Sequence, residues 1–392
     1  MSEKAVNTNV PRDGVVWLAG EASGDFIASL VLPQVKEAFG GAMQFGMGGA
    51  KMREADLDAW YDCKALSVRG YVEVISHLPR LFALRSELIQ RFTSANPRVF
   101  VGVDAPDFNL GVETQLRRAG IPVVHMVSPS IWAWRPERIQ TIRRAVDHML
   151  CVFPFEKAIY DKAGIGATYI GHPLANIIPD TPDTAAARKR LGLPEDGMPV
   201  VCVMPGSRAS ELKGCAGVFF DAMERLIARM GSIRVVVPTV DHASAVKLRN
   251  TLSRYPALSM HLHVEEGNSH TCIEASDAVL VASGTATLEA ALYKKPMVVG
   301  YKMPAITGLV MEKQGLIPYV SLPSILCGER VVPEFLQFFC EPDPISYAVE
   351  NALTNEAQRR ALEARFAALH ESLKANTAEI TRDVLLRVAR PL

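Results

Sequence analysis

The chain carries no surplus of either charge: across 392 residues, 42 Lys and Arg face 42 Asp and Glu. A dedicated nucleic-acid binder usually shows a basic excess, so no nucleic-acid partner is expected. Paired cysteine motifs are missing too. Cys63, Cys151, Cys202, Cys215, Cys272, Cys327 and Cys340 form no C-x-x-C and no zinc-site spacing. An odd set scattered among apolar runs reads as buried free thiols in a reducing compartment. No run reaches the roughly 20 apolar residues of a membrane span. The uncharged stretch between Arg118 and Arg135, for example, is interrupted by Pro122 and Pro129. The polar start, with Glu3, Lys4, Arg12 and Asp13, lacks the order of a secretory signal, so a cytoplasmic protein is expected. Also absent are G-x-x-x-x-G-K-[ST], H-E-x-x-H and G-x-S-x-G. Asp56-Leu57-Asp58 is the only D-x-D and follows no clear strand, so it reads as surface charge and no metal is expected.

What is present is a rhythm of short β-branched runs and amphipathic stretches. Val15–Ala19, Val99–Val103, Pro122–Val127 and Asp147–Val152 read as strands, with helices over Asp25–Phe39 and Leu110–Ala119. Continuous apolar strands between helices imply a parallel sheet covered on both faces. Such sheets bind ligands at the C-terminal ends of their strands. Clustered prolines (Pro173, Pro179, Pro182) mark Gly171–Thr184 as a linker. The rhythm then restarts with strands at Val200–Met204, Ile233–Val237, Ser259–Val264, Ala278–Val281 and Met297–Val299. Helical patterns over Ile345–Leu353 and Glu356–Leu386 close the chain. The fold class expected is α/β: two similar lobes over residues 1–172 and 173–340. The helices of 341–392 then pack across the lobes or make a subunit contact.

Chemistry is sought at strand ends. Gly20-Glu21-Ala22-Ser23-Gly24-Asp25 follows the first strand; its small residues let a ligand approach the backbone, and Ser23 or Asp25 can cap the next helix. Gly46-Met47-Gly48-Gly49 reads as a second glycine turn, without the acid a dinucleotide site needs beyond it. Asp104-Ala105-Pro106-Asp107-Phe108-Asn109 closes the strand ending at Val103. Either carboxylate there can serve as a general base, Asp104 being preferred because Asp107 can instead cap a helix. Asp107 and Asn109 then count as substrate-binding candidates, with Ser23. Ser128, Trp132 and Trp134, beside Arg135, can line a sugar or amphiphile pocket, or simply pack. His125 reads as a satisfied core histidine, and His172 sits at the hinge, where a ligand between the lobes would pass.

In the second half, Pro205-Gly206-Ser207-Arg208 offers a glycine turn, a hydroxyl and a guanidinium to phosphate oxygens, unless Arg208 merely pairs with Glu211. Ser283-Gly284-Thr285-Ala286-Thr287-Leu288-Glu289 ends a strand and opens a helix. Its amides and hydroxyls can hold a diphosphate, and Glu289 can accept from a ribose or simply complement the helix dipole. Lys302 is a further candidate for neutralising a diphosphate. Val72, Val74, Ile75, Leu78, Leu81 and Phe82 fall at helical spacing among Arg69, Arg80, Arg85 and Arg91, either as a core-facing helix or as one that dips into lipid headgroups.

Taken in order, GEASGD, GMGG, VGVDAPDFN, HMVSPSIWAWRPERI, PFEKAIYDK, GHPLA, PGSR, SGTATLEA, KKPMVVGYK and YVSLPSIL closely resemble the lipid-A-disaccharide synthase family, nearly end to end. The resemblance implies the two-lobed glycosyltransferase B fold of Rossmann-like lobes, with acceptor on the first and UDP-sugar mainly on the second. It implies transfer from UDP-2,3-diacylglucosamine to 2,3-diacylglucosamine 1-phosphate, giving a β-1,6 disaccharide 1-phosphate and UDP. No metal and no resident cofactor are implied; the UDP-sugar is the donor substrate. A homodimer exchanging C-terminal segments is implied, as is attachment to the cytoplasmic face of the inner membrane, in keeping with Val72–Phe82. Among residues, the catalytic aspartate falls on Asp104, the first-loop acid on Glu21, the phosphate-side arginine on Arg208 and the nucleotide-side glutamate on Glu289. Ser324 departs from the Asn usual in SLPN. Two other readings stay open. A non-hydrolysing UDP-sugar epimerase would need a second acid/base constellation. A non-catalytic sugar-nucleotide sensor would not need Asp104.

Overall fold

A computed structural model describes residues 13–391 except 67–70, 207–208, 241, 253 and 304–317, and omits the side chains of 71–78, 209–210, 243 and 247. The chain forms two compact units, Met1–Pro173 with Leu373–Leu392, and Leu174–Ser372.

The first unit is built on seven parallel strands: β1 (Val15–Ala19), β2 (Gln44–Gly48), β3 (Asp58–Asp62), β4 (Val99–Val103), β5 (Val123–Met126), β6 (His148–Cys151) and β7 (Gly166–Tyr169). Their order is β3-β2-β1-β4-β5-β6-β7. β1 and β4 are buried at every position, as expected of central strands with helices on both faces. The buried indole of Trp17 is satisfied by Gln44 Oε1 at 2.8 Å. The second unit has six parallel strands: β8 (Val200–Met204), β9 (Arg234–Thr239), β10 (Leu262–Glu266), β11 (Ala278–Ala282), β12 (Met297–Tyr301) and β13 (Glu334–Leu336), ordered β10-β9-β8-β11-β12-β13. Each unit is thus doubly wound. Strand order reverses between β1 and β4 in one, and between β8 and β11 in the other. Ligands of open α/β sheets bind at such a reversal, beyond the strand C-termini.

Several local expectations are corrected. The glycine turn expected at Gly46–Gly49 is mostly strand β2, which pairs with β1 and is fully buried. Asp56 and Asp58 are exposed surface charges, as expected, and Asp58 opens β3. The helix expected over Asp25–Phe39 is two, Ala22–Ser29 and Leu32–Ala38. The strand expected at Ser259–Val264 begins later, because Pro256 sits in the first turn of a short helix, Pro256–Met260. Within the expected linker, Pro173 likewise opens a helix, Pro173–Ile177. The final helix breaks after Leu373 and restarts at Thr377, where Asn376 caps it by accepting from Glu379 N.

The helix Thr377–Val388 packs on Leu32–Ala38 within the first unit, and Arg390 Nη1 reaches Asn96 Oδ1 at 2.5 Å. In the second unit the helix Pro342–Thr354 packs on Ala209–Met230. No described helix is long and apolar enough to cross a membrane.

Candidate active site

The two loops flanking the first unit's reversal point are those carrying Glu21 and Asp104. Strand β4 delivers Asp104, whose N–H donates to Met126 O of β5 at 2.9 Å. Asp104 then turns left-handed, φ 54°, and Ala105 follows at φ 44°, ψ 52°. Each such non-glycine residue costs about 1–3 kcal/mol and persists only where its surroundings enforce it. Here Asn109 does so. Fully buried on the helix Pro106–Arg118, its Nδ2 donates to Asp104 O at 2.7 Å and lies 3.3 Å from both Val103 O and Leu18 O. Asn109, expected to touch substrate, instead braces the backbone of the candidate base. Gly20 makes room for the turn, since a Cβ there would lie 2.4 Å from Ala105 Cβ.

The half-buried Asp104 carboxylate receives Ser23 Oγ on Oδ2 at 3.1 Å; no other hydrogen bond to that carboxylate occurs among the described residues. It therefore keeps Oδ1 available for a proton. Glu21 is the exposed N-cap of the helix Ala22–Ser29, and neither Ser23 nor Asp25 caps it. Asp25 turns inward and caps another helix start, accepting from Gly49 N at 2.6 Å, Lys51 N at 3.0 Å and Met52 N at 3.1 Å.

The loops after β5 and β6 gather a second group. Trp132 Nε1 donates to Glu156 Oε1 at 3.1 Å and packs edge-on against Phe153 and Phe155. Ser128, expected to meet substrate, is buried with its hydroxyl 2.7 Å from Tyr160 OH. His172 is buried and stacked on Phe153 at 5.7 Å. Burial pushes the His172 imidazole down to about 4 and the Glu156 carboxyl up to about 7, the latter against hydrogen bonds from Phe153, Trp132, Ser128 and Val152. Asp107 does not cap its helix; it is exposed and ion-paired with Arg138. Trp134 lies under Arg135, 4.4 Å from ring centre to guanidinium carbon.

His125 is a core histidine of a different kind than expected. Its Nδ1 meets Glu113 Oε1 at 2.6 Å, both side chains fully buried, while Glu113 Oε2 finds no hydrogen-bond partner among the described residues. Burial alone would favour the neutral ring. The Glu113 carboxylate, by charge and hydrogen bond, and then the Asp104 charge outweigh that and raise the His125 pKa. A Cβ at Gly102 would lie 2.0 Å from Glu113 Oε1. A glycine inside the apolar run Val99–Val103 was the one sequence signal for this pair; neither it nor Glu156 was singled out.

In the second unit, the loops after β8 and β11 again flank the reversal. Gly206 (φ 109°) packs against Glu211, whose Cβ would stand 2.4 Å from a Cβ at Gly206. Ser207 and Arg208 lie outside the described residues. Gly284 is the N-cap of the helix Thr285–Leu292, and no side chain among the described residues caps it; Gly284 and Thr285 are exposed and Ala286 half-buried. Ser283 Oγ donates to Val320 O at 2.8 Å. Thr287, expected to face a diphosphate, is buried and spends its hydroxyl on Gly284 O at 2.8 Å and Leu322 N at 3.1 Å. Glu289 faces His270 Nε2 at 3.4 Å. Ser324 is buried, its Oγ 2.9 Å from Ser321 Oγ and accepting from Val331 N at 3.3 Å. An uncapped helix start beside a strand end suits a diphosphate.

The model of the lipid-A-disaccharide synthetase family matches residues 15–385. The chain belongs to this family. It is 48% identical over 375 residues to the lipid-A-disaccharide synthase of Paraburkholderia phymatum, covering 95% of this chain and 96% of the relative. It is equally 48% identical over 385 residues to that of Cupriavidus pinatubonensis, covering 98% and 95%. The membership makes the chain an enzyme, a glycosyltransferase. Among solved structures, the UDP-GlcNAc 2-epimerase of Neisseria meningitidis bound to UDP-GlcNAc superposes with a TM-score of 0.62 at 13% identity, covering 96% of this chain and all of that one. That likeness is one of fold.

Proposed function

We propose that the chain transfers 2,3-diacylglucosamine from UDP-2,3-diacylglucosamine to O6 of 2,3-diacylglucosamine 1-phosphate, releasing UDP and the β-1,6-linked disaccharide 1-phosphate. Asp104 carries the reading: a half-buried carboxylate at a strand end beside the reversal point, held in a left-handed turn with one oxygen open. Asp104 takes the proton of the acceptor's 6-hydroxyl. The freed oxygen pair forms the bond to the donor's anomeric carbon from the face opposite UDP. The bond from that carbon to the diphosphate breaks, and its electron pair leaves on UDP. One displacement converts an α-linked donor into a β product, so no covalent intermediate is needed.

In the second unit the amides of Thr285 and Ala286 meet the departing diphosphate, where charge develops. Arg208 is assigned the same task from its sequence motif, and Glu289 the ribose. Both substrates carry acyl chains, so the enzyme works at a lipid surface. We assign that contact to the first half of the helix Tyr71–Ala95, where Phe82 is exposed, and, following the family resemblance, place it on the cytoplasmic face of the inner membrane. Leu81 of the same stripe is half-buried, and the side chains of Val72, Val74, Ile75 and Leu78 lie outside the described set. A homodimer is carried over from the family resemblance.

The test is a transfer assay on purified protein with labelled donor, with and without acceptor and with and without EDTA. Acceptor-dependent disaccharide and UDP, unaffected by EDTA, are expected. UDP binding with no disaccharide would overturn the assignment in favour of the epimerase or sensor readings.

A further inference from the structure

Beside the candidate base, the first unit carries a cavity of about 850 Å³ whose walls come from the helices Tyr71–Ala95, Pro106–Arg118 and Ile139–Ala145. Its lining includes three guanidinium groups, those of Arg85, Arg118 and Arg138, and a single acid, Asp107. Asp107 is already paired with Arg138. Arg85 and Arg118 make no ion pair among the described residues, so the cavity keeps a net positive charge. Arg85 is held in place: its Nη1 would be 2.8 Å from a Cβ at Gly111, and its guanidinium carbon lies 4.9 Å from the centre of the Phe82 ring. Forked guanidinium donors on a fixed stem suit a phosphate monoester better than a carboxylate-free sugar face.

The cavity also has a definite place relative to Asp104. Pro106 lines it and lies two residues beyond Asp104, at most about 7 Å of chain. Arg118 is at the far end, seven residues or about 10 Å along the helix from Gly111. On a pyranose, C5, which carries C6 and O6, and C1 both flank the ring oxygen, so O6 and a C1 phosphate sit no more than about one sugar width apart. An acceptor with its 6-hydroxyl at Asp104 must therefore place its phosphate within about one sugar width. We infer that the Arg85–Arg138 end of this cavity is the subsite for the acceptor's 1-phosphate. The inference rests on the reaction proposed above and names the part of the chain that selects a phosphorylated acceptor.

A membrane phospholipid offers the same phosphate chemistry, so the test separates the two sources. The full chain, in neutral detergent, is titrated with short-chain 2,3-diacylglucosamine 1-phosphate and with the same sugar lacking the phosphate. Binding to phosphatidylglycerol vesicles is measured in parallel. Wild type should bind the phosphorylated sugar about 10- to 100-fold more tightly. Arg85→Ala, and Arg85→Gln, which keeps a shorter stem without the charge, should erase most of that preference and leave the unphosphorylated sugar's affinity and the melting temperature unchanged. Arg118→Ala should retain the preference. Equal binding of the two sugars by wild type would overturn the subsite, as would equal losses for both sugars in the Arg85 variants. So would weaker vesicle binding with the sugar preference intact. Because binding is read without turnover, a preference in a protein that makes no disaccharide keeps the subsite and sinks the transferase reading. Turnover without preference does the reverse.

Discussion

Ser23 Oγ donates to Asp104 Oδ2 at 3.1 Å, joining the first turn of the helix after β1 to the loop after β4 across the point where strand order reverses. The bond fixes one carboxylate oxygen and so aims the other. Ser23→Ala should remove that aim without unfolding the protein. At a solvent-accessible site the loss should be about 1 kcal/mol, or roughly fivefold in kcat, with KM for the donor unchanged. Ser23→Thr should keep most of the rate. Steady-state kinetics on both variants checks this.

The left-handed turn at Asp104 and Ala105 depends on the absence of a side chain at Gly20. Gly20→Ala would set two methyl groups 2.4 Å apart and should cost about 1–3 kcal/mol, with a larger loss of activity as the turn shifts. Removing the opposing methyl should relieve it. The double variant Gly20→Ala with Ala105→Gly should regain stability over the single one in a denaturant titration. Equal instability of the two would show that the contact is not the cause.

This dependence also shows what the sequence could and could not disclose. The doubly wound sheets follow from apolar runs such as Val15–Ala19 and Val99–Val103, whose continuous hydrophobicity only a buried parallel strand explains. Motif order placed Asp104 at a strand end. Less patterned strands were missed: Gly166–Tyr169 is short, and Gln44–Gly48 looks like a turn because glycine counts against a strand. Asn109, Ser128 and Thr287, buried and hydrogen-bonded within the protein, are hard to read from sequence for one reason. A polar residue beside a catalytic loop serves equally well to satisfy buried backbone or hydroxyl groups, and only its burial tells which.

Glu113 and His125 form a buried pair behind β4, and breaking it should be costly. Glu113→Gln should destabilise the protein by about 3–5 kcal/mol near neutral pH, and replacing both residues with apolar ones should cost less. The folded-state pKa of His125 is raised, so its contribution is complete below about 6.5 and lost as pH rises through the folded value. The stability gap between wild type and Glu113→Gln should therefore narrow toward alkaline pH. Denaturation midpoints across a pH series read this directly.

His172 has the opposite sign. Burial lowers its pKa from 6.5 to about 4, so the neutral ring's contribution is present above 6.5 and lost as pH falls toward 4. That span amounts to about 3 kcal/mol of acid sensitivity. His172→Gln should flatten the stability profile over that window. An unchanged profile would place the acid sensitivity elsewhere.

The central claim is that Asp104 is the general base, and Asp104→Asn tests it most directly. The amide keeps the shape and can still accept from Ser23 but cannot take the acceptor's proton. In a variant with wild-type melting temperature and UDP affinity, single-turnover formation of disaccharide should fall by about 10²- to 10⁴-fold. A rate near that of wild type would contradict the account.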